Sequence, residues 1–136
     1  MSDSSIAFLR LADQARSRII EVTPKGVSRA KPLPLFIDVR ETEEYTRGHI
    51  AGARHLSRGV LEQKIGEVVP DLSTPLVVYC DRGERAALAA EALLNMGYQN
   101  VRSLKGGLQN WLESGGIVEV PNRFRKPAYG RSRRVE

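Results

Sequence analysis

Among the 136 residues there is one cysteine, Cys80, so no disulfide can form within the chain. A lone thiol points to a reducing compartment. No apolar run approaches the roughly 18 residues needed to cross a bilayer as a helix. The opening Met1-Ser2-Asp3-Ser4-Ser5 carries neither the basic start nor the apolar core of a secretion signal, so a cytoplasmic protein is expected. Histidine is scarce too: His49 and His55 lie six residues apart, outside helical ligand spacing, and no second cysteine can join them. No zinc or other metal site is expected. Neither a Gly-x-Gly-x-x-Gly fingerprint nor a lysine-containing phosphate loop occurs, which argues against nucleotide binding at Gly106-Gly107.

The body of the chain lacks a charge imbalance. The net charge is +5, but from Pro121 onward there are six basic residues and one acid, so the preceding residues balance. Residues 121–136 are rich in Arg, Lys, Pro, Gly and Ser with little to bury, and a disordered basic tail is expected. Nucleic acid is not an expected partner, since only that tail offers the charge for it. Apolar residues make up 41% and charged residues 27%, ordinary for a globular domain, and the length suits one domain.

What is present centres on Leu76-Val77-Val78-Tyr79-Cys80, a short continuous apolar run. Such a run reads as a strand buried on both faces. From Ala86 onward the composition becomes strongly helix-forming, with Ala87, Leu88, Ala89, Ala90, Leu93 and Leu94. Cys80 thus ends a strand, and a six-residue loop, 80–85, leads directly into a helix N-terminus. Open α/β sheets place ligands at such a strand-to-helix turn. Free N–H groups and the helix dipole there favour an anion, and they favour a thiolate at Cys80. Gly83 lets several N–H groups converge, and Arg82 and Arg85 supply cations. A nucleophilic cysteine in an anion cradle is the reading this pattern supports. A buried structural thiol at a strand end is the alternative.

The loop Cys80-Asp81-Arg82-Gly83-Glu84-Arg85 resembles the active-site loop of the rhodanese family of sulfurtransferases, in which a cysteine carries a persulfide. Three further pieces resemble that family: Leu35-Phe36-Ile37-Asp38-Val39-Arg40-Glu41, then Gly48-His49-Ile50-Ala51-Gly52-Ala53, then Leu104-Lys105-Gly106-Gly107-Leu108 with Trp111. The resemblance implies a domain over 23–120, with Asp38 and Arg40 as scaffold beside the site and His49 in a structural turn. It implies a sulfur donor such as thiosulfate or a persulfide. It also implies an acceptor that is a thiol, cyanide or a protein sulfur, and no cofactor beyond the transient cysteine persulfide. Arg85 would hold the loop or neutralise the donor, and Arg82 would face the entrance. Asp81 and Glu84 cancel the two arginines, so a persulfide or a protein partner is a plausible donor beside dianionic thiosulfate. Cysteine phosphatases and arsenate reductases resemble this arrangement with one more residue between Cys and Arg. An idle rhodanese-like binding module is a further alternative.

The remaining segments alternate in period. Ile6, Leu9, Ala12, Ala15, Ile19 and Ile20, with charges between them, predict an amphipathic helix over residues 1–22 packed on the domain. Pro24, Gly26, Pro32 and Pro34 predict a loop over 25–31, with a short strand possible near 20–23. A strand is expected at 35–39, a short helix at 41–46 ended by Gly48, and a strand near 54–57. Val60, Leu61, Ile65, Val68 and Val69 predict a helix. The active helix should end at Gly97, with a strand at 101–104. A last helix should turn Leu108, Trp111 and Leu112 inward. Strands alternating with helices predict an α/β fold, a mainly parallel central sheet with helices on both faces.

Overall fold

The structure, a computed structural model, describes residues 3–121. Helix α1 (Asp3–Arg16) is followed by strand β1 (Ile20–Val22), a short helix α2 (Pro24–Ser28) and strand β2 (Leu35–Asp38). Helix α3 (Thr42–Arg47) leads to the two-residue strands β3 (His49–Ile50) and β4 (Arg54–His55). A single 3-10 turn at Arg58–Val60 runs into helix α4 (Leu61–Val68). Strand β5 (Leu76–Tyr79), helix α5 (Glu84–Asn95), strand β6 (Val101–Leu104), helix α6 (Gly107–Glu113) and strand β7 (Val118–Glu119) complete the order.

Five strands form one parallel sheet in the order β1-β6-β5-β2-β4. All four residues of the central strand β5 are buried, as a strand covered on both faces requires. Its register sets Leu76 beside Leu35 on one side and Val101 on the other. Strands β3 and β7 pair antiparallel as a small separate ribbon, with His49 opposite Glu119.

Helices cover both faces. On one, Leu61 and Ile65 of α4 and Ala86, Ala89, Ala90 and Leu93 of α5 pack on Ile37, Val78 and Val101. On the other, Val27 of α2 and Leu108 and Trp111 of α6 pack on Val77, Tyr79 and Leu104. Helix α5 ends as its glycine requires: Gly97 has φ +107, and the N–H groups of Tyr98 and Gly97 donate to the carbonyls of Leu93 and Leu94. Helix α1 lies against α5, with Ala12 and Ala15 fully buried. Among the described residues, no helix is long and apolar enough to cross a membrane.

Four details differ from the sequence reading. The N-terminal helix stops at Arg16 rather than reaching residue 22, while the short strand expected near 20–23 is present as β1 at the sheet edge. Ile6 and Ile20, expected on the packed face, are 51% and 55% exposed. The stretch 25–31 is not wholly loop: Thr23 caps α2 by accepting from Gly26 N–H at 3.0 Å, and Pro24 stands where a missing N–H costs nothing. Leu112, expected inward, is 49% exposed. Apart from Pro121, the basic tail 121–136 lies outside the described residues.

Candidate active site

Cys80 follows the last residue of the central strand, and its side chain shares the face of Val78, beneath the start of α5. The residue is almost fully buried. Its Sγ accepts from the N–H of Gly83 at 3.0 Å and of Ala86 at 3.4 Å. Ala86 is the third residue of α5, so the sulfur takes the place of a capping oxygen for one of the orphan N–H groups. Two N–H dipoles and a helix N-terminus aimed at one sulfur suit a negative charge there.

The loop is turned this way from below. The N–H groups of Leu108 and Gln109, in the first turn of α6, donate to the carbonyls of Cys80 and Asp81 at 2.9 and 3.1 Å. With those carbonyls drawn toward α6, the following N–H groups face the sulfur. The contact demands glycine at Gly107, which has φ +60: a Cβ there would stand 2.6 Å from the Asp81 carbonyl and from the Cys80 oxygen. Gly83, at φ +121, makes the turn into α5.

The charged side chains of the loop divide. Arg82 is exposed and lies 4.0 Å from Asp81, whose Oδ2 also accepts from Gln109 Nε2 at 3.1 Å. Glu84 is half-buried in the first turn of α5. Arg85, expected to hold the loop or meet the donor, gives both Nη groups to Glu44 of α3, at 2.8 and 3.0 Å. That hydrogen bond holds Glu44 down from 4.5 to about 2, against a smaller push from burial, and raises Arg85 above its ordinary range. Glu44 Oε1 also accepts from Glu41 N–H at 2.9 Å, so helix start and loop anchor share one carboxylate.

Asp38 and Arg40 stand beside this layer. Asp38 is fully buried and binds the Arg40 guanidinium through Nε and Nη2, and the Arg40 N–H as well. Arg40 Nη2 also donates to Gly48 O at 2.7 Å, tying the end of β2 to the end of α3. His49 is stacked on Tyr45, donates through Nδ1 to the Tyr45 carbonyl, and sits 3.4 Å from Glu119. It joins the β3–β7 ribbon to α3 and lies apart from the sulfur. Among the described residues no group of three or more His, Cys, Asp and Glu could hold a metal ion.

Glu44 carries no local sequence signal as a site component, since it meets Arg85 across 41 positions, and Gly107 reads in the sequence as part of the Leu104–Leu108 motif without its contact to the Cys80 loop. Both contacts are spatial, made where the fold brings α3 and α6 to the loop.

The chain matches the rhodanese-like domain over residues 23–114. It is 38% identical over 77 residues to the thiosulfate sulfurtransferase GlpE of Stutzerimonas stutzeri, covering 57% of this chain and 69% of that one. It is 36% identical over 83 residues to the thiosulfate sulfurtransferase PspE of Escherichia coli, covering 57% of this chain and 79% of that one. A solved structure from Rhodopseudomonas palustris, a protein of unknown function described as a possible tyrosine phosphatase, superimposes with TM-score 0.75 at 28% identity, over 82% of this chain and 93% of that one. With its sheet order, its cysteine-to-helix loop and these matches, the chain belongs to the rhodanese-like family. The GlpE and PspE relatives are thiosulfate sulfurtransferases.

Proposed function

We propose that the protein transfers sulfane sulfur through a persulfide on Cys80. The Cys80 thiolate attacks the outer sulfur of thiosulfate or of a persulfide, and sulfite or a thiolate leaves. The outer sulfur of the resulting Cys80 persulfide then passes to a thiophilic acceptor: a thiol, cyanide or a protein thiol. The chemistry needs no bound cofactor. A single thiol that must be reduced to act suits the cytoplasm.

One observation carries the reading: Sγ of Cys80 already accepts two N–H groups from the loop that follows it. Donors held in place before reaction stabilise developing charge without reorganisation. The phosphatase alternative, raised by the description of the Rhodopseudomonas structure, fits less well. Four residues separate Cys80 from Arg85, and Arg85 is engaged with Glu44. A phosphoryl group needs donors for three equatorial oxygens with attacking and leaving atoms in line. Asp81 and Glu84 oppose such a dianion.

Parallel colorimetric assays on one preparation test the choice. Sulfur transfer from thiosulfate or a persulfide to cyanide or a thiol should be measurable and vanish in Cys80→Ser. Aryl phosphate hydrolysis should stay at background. Cys80-dependent phosphate release, with no sulfur transfer from any donor, would overturn the proposal.

A further inference from the structure

We propose that a cavity beside the active loop holds the body of a small anionic thiol, the sulfur acceptor, with Arg47 recognising its negative group. This rests on the sulfur-transfer reading of Cys80 and names the class of molecule that reading leaves open. The cavity is about 360 Å³, far more than thiosulfate fills. It meets the loop at Asp81, the residue after Cys80, and at Leu108, whose N–H binds the Cys80 carbonyl.

Its walls match an organic anion better than an inorganic one. Leu108, Leu112 and Val118 give an apolar side, and Leu112 is 49% exposed although it belongs to a helix that packs on the sheet. Apolar surface left open next to a reactive loop fits a ligand with a carbon stem.

The charges decide the sign. Glu44 lines the cavity with both oxygens engaged by Arg85. Asp81 has one oxygen on Gln109 and Arg82 4.0 Å away. The two cations differ. Arg40 binds Asp38 through Nε and Nη2, donates to Gly48 O and lies over the Tyr79 ring, so its charge is already compensated. Arg47, exposed at the last turn of α3, makes no ion pair or hydrogen bond among the described residues. The one charged lining group without a partner among the described residues is therefore the Arg47 guanidinium, which is suited to a carboxylate.

The step balances without an added redox partner. The thiolate of the ligand attacks the outer sulfur of the Cys80 persulfide, and a new S–S bond forms on the ligand. The Cys80 S–S bond breaks, and its electron pair returns to Cys80 as thiolate. The same reaction run backward makes the organic persulfide a donor.

The test loads Cys80 with thiosulfate, removes the excess, and drains the persulfide with mercaptoacetate, mercaptoethanol or cysteamine, followed by intact mass. Rates are compared per thiolate. Mercaptoacetate should half-saturate at about tenfold lower concentration than neutral mercaptoethanol, the effect of one charge-assisted contact. Cysteamine should be the poorest. Arg47→Gln should erase the preference and Arg47→Glu should turn it toward cysteamine. Drainage of the loaded protein that ignores ligand charge, or a preference kept in Arg47→Gln, would overturn this inference alone. Failure of any sulfane donor to load Cys80 would overturn the sulfur-transfer reading, and this inference with it.

Discussion

The Arg85 guanidinium closes a two-pronged ion pair on the Glu44 carboxylate, Nη1 to Oε1 at 2.8 Å and Nη2 to Oε2 at 3.0 Å. The pair joins the first turn of α5, which supplies the Ala86 N–H to Cys80, to a helix that follows a different strand. The charge of Arg85 is thereby balanced within the protein. On the proposed mechanism the backbone N–H groups carry most of the charge on the sulfur, and Arg85 acts as the strut that keeps them aimed.

A strut demands shape as well as charge. Arg85→Lys keeps the cation but loses the fork, and Glu44→Gln keeps the shape but loses the charge. Each should lower kcat/KM for sulfur transfer by about tenfold, a loss of the order expected for one charge-assisted contact. Both side chains are about 30% exposed, so thermal unfolding should move little, by no more than about 1 kcal/mol. Steady-state kinetics beside thermal melts check this. Full turnover in both variants would remove the strut from the account.

Acid should break the same pair only at low pH. Because folding lowers Glu44 from 4.5 to about 2, its contribution is complete above the ordinary value and fades as pH falls from about 4.5 toward 2. The protection of the Gly83 and Ala86 amides against solvent exchange, corrected for the intrinsic pH dependence of exchange, should fall over that window in wild type. In Glu44→Gln the exchange should already be fast at neutral pH, with no step on acidification. A step of the same size in the variant would assign it elsewhere.

The Asp38–Arg40 pair should behave differently because it is buried. Asp38→Ala leaves the Arg40 guanidinium, 5% exposed, without its carboxylate. The expected cost is about 3–5 kcal/mol, since removing one partner strands a buried charge. Urea unfolding measures it, and a wild-type midpoint would contradict the pairing.

Gly107→Ala should separate packing from backbone strain. A methyl there meets the Asp81 and Cys80 carbonyls at 2.6 Å, whereas one at Gly115, also at positive φ, meets nothing within 4 Å. Gly115→Ala should cost about 1 kcal/mol of stability and keep sulfur transfer. Gly107→Ala should in addition lose most activity, because α6 can no longer hold the loop carbonyls. Equal activity in the two variants would rule out that role for α6.

Much of this was legible in the chain itself. The strand ending at Cys80 is apolar at every position, and a parallel strand buried on both faces has no other way to look. Gly97 marked the end of α5 because only a left-handed residue closes that cap. Each misreading has its own cause. Ile19 and Ile20 continue the helical period of α1, yet Ile20 pairs with β6, and hydrogen bonding to a distant strand overrode the local pattern. Pro24 and Gly26 read as loop breakers, although a proline at the first helical position after Thr23 starts a helix as readily as it ends one. Leu112 follows the inward spacing of Leu108, but α6 is short and its last turn passes beyond the sheet to the cavity rim. Glu44, Arg47 and Gly107 owe their places to elements brought together by the sheet, which no window of sequence contains.

On the proposed mechanism Cys80 carries the sulfur in transit. Intact mass spectrometry of the purified protein, before and after exposure to thiosulfate or an organic persulfide, reads this out. A gain of one sulfur atom is expected, located on the peptide holding Cys80, reversed by a reducing thiol and absent in Cys80→Ser. An unchanged mass with every donor, in a preparation that still transfers sulfur or that retains turnover in Cys80→Ser, would contradict it.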